Sequence, residues 1–137
     1  MTFKNSKTPE WEIPENLEEI IAEEESWESE VWLPIFLTVM GGTIYRGREI
    51  PLAWQIEFEP GSEEFEIPNE KISELGFEPD GYGWANAIQS VANTHHPEIV
   101  SELHFGDTEE STCVIWVESE SACKILTQIA WNLINIK

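Results

Sequence analysis

From Leu52 onward, apolar and polar residues alternate, and this alternation determines the class of fold open to the chain. Leu52, Trp54, Ile56 and Phe58 form one set, and the polar positions between them form the other: Gln55, Glu57 and Glu59. A period of two places the sets on opposite faces of a strand. Because antiparallel sheets commonly keep one solvated face, the pattern predicts an antiparallel sheet whose apolar face must be covered.

Helical spacing in three other segments predicts the elements that cover this face. Apolar residues recur at intervals of three and four, which place them on one side of a helix, over residues 14–25, from about 83 to 95, and from Ala122 to Ile134. Ser119 is a predicted N-cap of the last helix, because its hydroxyl can accept a hydrogen bond from a backbone N–H of the first turn.

Further strands are predicted at residues 31–40 and 112–118. The second should be central in the sheet, because it has few polar positions. Gly41-Gly42 is interpreted as a turn or bulge, and residues 60–71 as an acidic loop.

This order of elements predicts an α+β fold. We expect a single domain over residues 1–137, with a mostly antiparallel, curved sheet and helices packed largely on one face. Residues 1–12 are predicted to form a mobile or loosely docked acidic arm.

Residues 10–30, EWEIPENLEEIIAEEESWESE, contain ten Glu and neither Lys nor Arg. In the predicted helix, Glu15, Glu19 and Glu23 are spaced four apart, and each such pair of like charges destabilises an isolated helix by roughly 0.2–0.5 kcal/mol. The helix must therefore depend on docking its apolar stripe, and its outer face is a row of unneutralised carboxylates. We define the acid ridge as Glu18, Glu19, Glu23, Glu24 and Glu25.

The excess of acidic residues extends to the whole chain and restricts its partners. There are 27 acidic residues against seven basic ones, for a formal net charge of −20. Nucleic-acid binding depends on Lys and Arg that neutralise phosphates, so nucleic acid and anionic membranes should be repelled. A basic protein would instead be steered toward this chain at low salt.

The sequence shows no secretory signal and no run long enough to span a membrane. Its two cysteines, Cys113 and Cys123, form no CxxC pair. We therefore expect a bacterial-type cytoplasmic protein with both thiols reduced.

Residues that could carry chemistry do not fall into a recognised pattern. Atoms for a zinc site exist in His95, His96, His104, Cys113 and Cys123, but none of the usual ligand spacings appears. His95 continues an apolar stripe and is predicted to be a helix-end core residue. No nucleophile elbow, phosphate loop or calcium loop is present. We predict no enzyme activity, no cofactor and no metal, and we interpret most carboxylates as solvated surface.

Two tryptophans beside the acid ridge leave two interpretations open. Trp11 and Trp27 either pack into the core as anchors of a short helix or form partly exposed contacts flanked by charge. Because Trp and Tyr favour the centres of interfaces, the second interpretation predicts a partner-binding surface. Its candidate contacts are Glu18, Glu19, Glu23, Glu24, Glu25, Trp27, Glu63, Glu64 and Glu66.

The second half of the chain carries a motif that can be compared with a known family. A turn with Gly81, Tyr82, Gly83 and Trp84 opens a helix, and these positions are followed by Pro97, Ile99, Val100, Leu103, Phe105, Val114, Trp116, Val117 and a terminal helix from Ala122. Residues 76–131 thereby resemble the immunity protein 51 family of bacterial polymorphic toxin systems. Phe105-Gly106-Asp107 stands where that family typically has a Phe-Asp pair. The resemblance implies that the Gly-Tyr-Gly-Trp motif is architectural.

The resemblance also implies a small protein, made beside a toxin, that binds the toxin and blocks it. Combined with the charge, it predicts a basic, nuclease-type toxin domain whose active cleft is occluded by glutamates. The alternatives are an acidic nucleic-acid mimic or adaptor that regulates an endogenous basic protein, an enzyme with a pocket of carboxylates, and a structural or oligomeric module.

Overall fold

The computed structural model describes residues 8–136, in which four antiparallel strands pack against four α-helices. The elements are α1 (Leu17–Glu24), β1 (Ser26–Ser29), β2 (Phe36–Tyr45), β3 (Arg48–Phe58), α2 (Glu66–Glu74), α3 (Gly81–His95), β4 (Cys113–Val117) and α4 (Glu120–Ile134), with 3-10 helices at Glu63–Phe65 and Pro97–Glu102. The strands lie in the order β1-β2-β3-β4, each antiparallel to the next. The predicted α+β fold is confirmed.

One face of the sheet and the helices enclose a common apolar core. Trp54, Ile56 and Phe58 of β3 point to this face, as their alternation predicted. α4 packs on β3 and β4, α3 packs on β4, and α1 packs on β1 and β2. Other members of the core are Leu37, Val39, Ile88, Ile115, Val117, Leu126 and Ala130. The predicted packing of helices largely on one face of the sheet is confirmed.

The strand predicted at residues 31–40 begins later and ends later than expected. Residues 31–35 form a turn, and β2 starts at Phe36 and continues through Gly41-Gly42 without a break in its register with β3. The interpretation of these glycines as a turn or bulge is therefore wrong. The chain reverses instead at Arg46 and Gly47, whose φ angles of 52° and 79° suit a two-residue hairpin turn. A Cβ on Gly42 would lie 2.9 Å from the carbonyl oxygen of Ile50, so glycine is needed here for close approach of the strands.

The end of this hairpin bends toward β4, which gives the sheet its curvature. β3 pairs with β4 only from Trp54 onward. Tyr45, at the far end of the hairpin, nevertheless contacts His104 with a ring-centroid distance of 4.6 Å and Trp116 at 5.9 Å.

The prediction of an acidic loop over residues 60–71 is wrong. This stretch contains a 3-10 helix and most of α2. Phe65, Pro68 and Ile72 are buried and follow helical spacing. Pro68 is tolerated because it lies in the first turn of α2, where a backbone N–H has no partner within the helix.

The helices predicted at about 83–95 and from Ala122 are confirmed as α3 and α4, and that predicted at 14–25 is confirmed as the shorter α1. The predicted N-cap of α4 is also confirmed, since Ser119 Oγ accepts a hydrogen bond of 3.3 Å from Ala122 N–H. Among the helices of residues 8–136, none combines the length and apolar character that a membrane span requires.

β4 lies at an edge of the sheet, so its predicted central position is wrong. Its outer side is nevertheless covered by the preceding segment. His104 and Trp116 exchange backbone hydrogen bonds of 3.0 and 3.1 Å. The Thr108 hydroxyl donates to the carbonyl oxygen of Val114 at 2.6 Å and accepts from its N–H at 3.1 Å. This cover explains why an edge strand has so few polar positions.

Candidate functional site

The acid ridge lies on the exposed side of α1. Leu17 and Ile21 dock the helix on the core and are buried, whereas all five ridge glutamates are exposed. Ion pairs among residues 8–136 involve Arg48, His96 and His104, and none of them reaches a ridge glutamate. The ridge therefore has no counter-charge within the described part of the chain.

The ridge also opposes the local stability of α1. Glu23 and Glu24 lie in the last turn, where the helix dipole favours cations, and no basic residue accompanies them. Glu25 follows with φ 74°, in the left-handed region that disfavours any residue with a Cβ. Local stability therefore does not account for these glutamates.

Trp11 and Trp27 are each packed against the core on one side and exposed on the other, so both interpretations of these residues hold in part. Trp27 lies in β1 opposite Val39 and is half-buried against the core. Trp11 is also half-buried; its indole N–H donates to Glu120 Oε2 at 2.9 Å, and its ring lies 6.4 Å from that of Trp32. Trp11 thus docks the described end of the predicted arm on the domain. Residues 1–7 of that arm lie outside the described residues.

The second acidic segment, Glu63, Glu64 and Glu66, is likewise exposed. Glu64 borders a groove of about 510 Å³ whose other lining residues include Leu33, Phe36, Glu57 and Glu59. The first turn of α1 borders a different groove of about 400 Å³, lined by Glu15, Glu18, Glu19, Glu120 and Leu52. Leu52 and Phe58 are about 20 Å apart along β3, at roughly 3.3 Å per residue. The groove beside α1 therefore lies near the middle of β3 and the groove beside Glu64 near its end, and the structure does not bring the two acidic segments into one cluster.

A polar cluster that the sequence did not predict surrounds Glu118, just after β4. Glu118 accepts hydrogen bonds from both terminal nitrogens of Arg48, with 3.0 Å between Nη2 and Oε2. Its Oε2 also lies 2.8 Å from His104 Nε2. The His104 ring stacks on Trp116 at 3.9 Å. Arg48, above all, holds the pKa of Glu118 down at about 2, against the opposing effect of burial.

This cluster fastens the bent hairpin to β4. Arg48 and Tyr45 come from the hairpin, whereas His104 and Glu118 come from the covered edge of the sheet. The Glu118 carboxylate is occupied on both sides by these partners, and its side chain is only 13% exposed. We therefore assign Glu118 a structural role and do not count it among the partner-binding residues.

The remaining groups that could bind metal or act as nucleophiles lie apart. No three potential ligands come together in residues 8–136. Cys113 and Cys123 are buried as free thiols, and burial raises the pKa of both, that of Cys123 to about 12. His95 is exposed, so its predicted place in the core is wrong; the buried stripe of α3 ends at Ala92.

A groove of about 890 Å³ lies between α3 and α4, and no residue of the acidic segments lines it. Its floor is apolar, with Ile125, Ile129 and Leu133, and its polar rim carries Lys124, His95 and His96. No carboxylate lines it.

Three of the four residues of the Gly-Tyr-Gly-Trp motif, Gly81, Gly83 and Trp84, are needed for packing of the fold. A Cβ on Gly81 would lie 1.8 Å from the carbonyl oxygen of Glu109, and a Cβ on Gly83 would lie 1.8 Å from that of Glu78. Trp84 is completely buried. Tyr82 departs from the expectation, because its side chain is 54% exposed at the start of α3.

The sequence resemblance of this half to immunity proteins stays a prediction. Comparison with protein-family models, with curated proteins and with solved structures finds no match to this chain.

Proposed function

We propose that this chain is an immunity protein that binds a basic toxin domain and inhibits it by occluding the active cleft of the toxin. The observation that carries the proposal is the acid ridge. Its exposed glutamates have no ion-pair partner among residues 8–136, and they weaken the helix that presents them. A basic partner would supply the counter-charges that the described chain lacks.

Charge also bears on the rate of association. A net charge of −20 would steer a cationic domain toward this chain, and such steering can raise association rates to about 10⁸–10⁹ M⁻¹s⁻¹ at low salt. Nucleases fit this description, because their clefts must attract phosphate groups and a row of carboxylates can compete for the same cations. The resemblance of residues 76–131 to the immunity protein 51 family supports the proposal independently of charge.

An adaptor that regulates an endogenous basic protein is the alternative, and it would use the same surface. The neighbouring reading frame separates the two functions. A toxin gene beside this one favours immunity, whereas a gene that stands alone favours the adaptor.

The test is to purify the product of the neighbouring reading frame and measure its affinity for this chain at about 50 and about 500 mM salt. The ridge variant carries Glu19→Lys, Glu23→Lys and Glu24→Lys. We expect at least about a tenfold loss of affinity and a weaker salt dependence for this variant, because close charge pairs across an interface are broken.

A matched variant controls for the change in total charge. It reverses three exposed glutamates in the segment that connects α3 to β4: Glu98→Lys, Glu109→Lys and Glu110→Lys. This control should slow association slightly and leave the dissociation rate unchanged. Equal losses in the two variants would show that only net charge matters, and no binding by the wild-type chain would refute the proposed function.

A further inference from the structure

The two outer edges of the sheet differ in how their backbone is covered. The outer edge of β4 is covered by His104 and Thr108, which occupy its exposed N–H and C=O groups. β1 has no such cover in the part of the chain that the structure describes, since its strand pairing is with β2 alone. One edge is thus closed by the protein itself, and the other is open as far as residues 8–136 are concerned.

The unpaired groups of the open edge belong to Ser26 and Glu28. Gly41 N–H donates to the carbonyl oxygen of Glu25 at 3.4 Å, so Glu25 faces β2. Because backbone groups alternate in direction along a strand, Trp27 and Ser29 also face β2, and Ser26 and Glu28 direct their N–H and C=O groups outward. Such a row is a template on which a further strand can add.

β1 also runs between the two acidic segments. Ser26 pairs with Met40 near the end of α1, and Ser29 pairs with Leu37 nearer the groove that Glu64 borders. Beyond this strand, Val31 is 63% exposed and Leu33 is 45% exposed. The open edge therefore has the acid ridge at one end and exposed apolar side chains at the other.

The charges along this edge indicate which segment fits it. Glu25, Glu28 and Glu30 are all exposed, and no basic residue lies between them. A second copy of this chain would bring acidic side chains against acidic side chains, which destabilises paired strands, and two chains of net charge −20 repel each other. A basic extended segment meets neither obstacle.

We propose that the outer edge of β1 accepts an extended segment of the basic partner as a fifth strand. Main-chain hydrogen bonds to Ser26 and Glu28 would hold it, Lys or Arg side chains would meet the glutamates, and apolar side chains would cover Val31 and Leu33. This mode of recognition is β-strand addition. The inference rests on the proposed function and adds to it the geometry of binding.

The test compares two substitutions at one position and uses the product of the neighbouring reading frame as the probe. Glu28→Pro removes the outward N–H, and proline is tolerated at an edge where the N–H faces solvent. Glu28→Thr removes the same charge but keeps the N–H. We expect Glu28→Pro to bind the probe at least about tenfold more weakly than Glu28→Thr does. Thermal melting of both variants serves as the check that each one folds.

Amide hydrogen exchange of the wild-type chain supplies a measurement that needs no substitution. The amides of Ser26 and Glu28 should exchange at least about tenfold more slowly in the complex than in the free chain. Equal affinities of the two Glu28 variants, or unchanged exchange at both amides, would overturn strand addition. If the ridge variant still loses affinity in that case, the proposed function survives and only the geometry fails. A wild-type dimer that Glu28→Pro abolishes would identify a second copy as the occupant and overturn the proposal.

Discussion

The indole N–H of Trp84 donates a hydrogen bond of 2.8 Å to the side-chain oxygen of Asn69, fifteen residues earlier. The amide nitrogen of Asn69 in turn donates to the carbonyl oxygen of Pro60 at 2.8 Å. Asn69 therefore links α2, α3 and the end of β3 at one point, beside a tryptophan that is completely buried.

Asn69→Ala should destabilise the protein by about 1–3 kcal/mol, because it leaves the buried indole N–H without an acceptor. Urea unfolding followed by fluorescence measures the loss. Asn93→Ala is the matched control: Asn93 is exposed in α3, and its replacement should change the free energy of unfolding by less than about 0.5 kcal/mol. Equal effects of the two substitutions would contradict the assigned role of Asn69.

Gly81→Ala and Gly83→Ala should each cost more than about 4 kcal/mol or prevent folding. At both positions the added Cβ would meet a backbone oxygen at 1.8 Å, which no side-chain rotation can relieve. Gly61→Ala provides the comparison, since nothing lies within 4 Å of its Cβ. Melting temperatures and soluble yield measure the difference. If the Gly81→Ala protein has the same melting temperature as the Gly61→Ala protein, the chain around Gly81 can move aside to accept the Cβ.

Segments whose burial follows one period were predictable from sequence. β3, α3 and α4 each present one apolar face to the core, so their pattern of hydrophobic residues reports their conformation directly. α2 was missed because its apolar positions are few and Pro68 falls among acidic residues. β2 was misplaced because Gly42 allows close strand approach, a role that cannot be told from a turn without knowing where Ile50 lies.

The candidate site likewise contains some features that were predictable from the sequence and others that were not. Exposure of the acid ridge was predictable, because carboxylates without partners are too costly to bury. The Glu118 cluster was not, since it joins residues 70 and 14 positions apart in the chain. The open edge of β1 was also missed, because SWES continues the acidic composition of α1 and gives no strand signal of its own.

Glu25→Gly should stabilise the protein by about 0.5–1 kcal/mol, because glycine adopts the left-handed conformation of this position without the strain of a Cβ. Glu19→Gly removes the same charge inside α1 and should instead destabilise by about 1 kcal/mol. Thermal unfolding of both variants separates conformation from charge. A loss of stability for Glu25→Gly would show that its side chain contributes more to the fold than its backbone strain costs.

Cys113 and Cys123 should resist a thiol reagent such as DTNB while the protein is folded. Both side chains are buried, and their raised pKa values leave little thiolate at pH 8. Two thiols should react after unfolding in guanidinium chloride. Colour development that follows the unfolding curve supports this account, whereas rapid reaction of one thiol in buffer would mean that α4 or β4 opens locally.

Glu118→Gln should reduce stability in a pH-dependent way. Folding lowers the pKa of Glu118 from its ordinary value of 4.5 to about 2, chiefly through the hydrogen bonds from Arg48. A carboxyl whose pKa is lower in the folded state contributes stability above its unfolded pKa, and it loses that contribution as pH falls through the folded value. We expect a difference of about 1–2 kcal/mol between wild type and variant above pH 5, allowing for the exposure of Arg48, and a progressive decline toward pH 2. The measurement is urea unfolding of both proteins at a series of pH values, and Glu110→Gln, at an exposed glutamate, serves as the control for removal of one charge. A difference that stays constant between pH 6 and pH 3 would show that the Glu118 carboxylate does not fasten the hairpin through its charge.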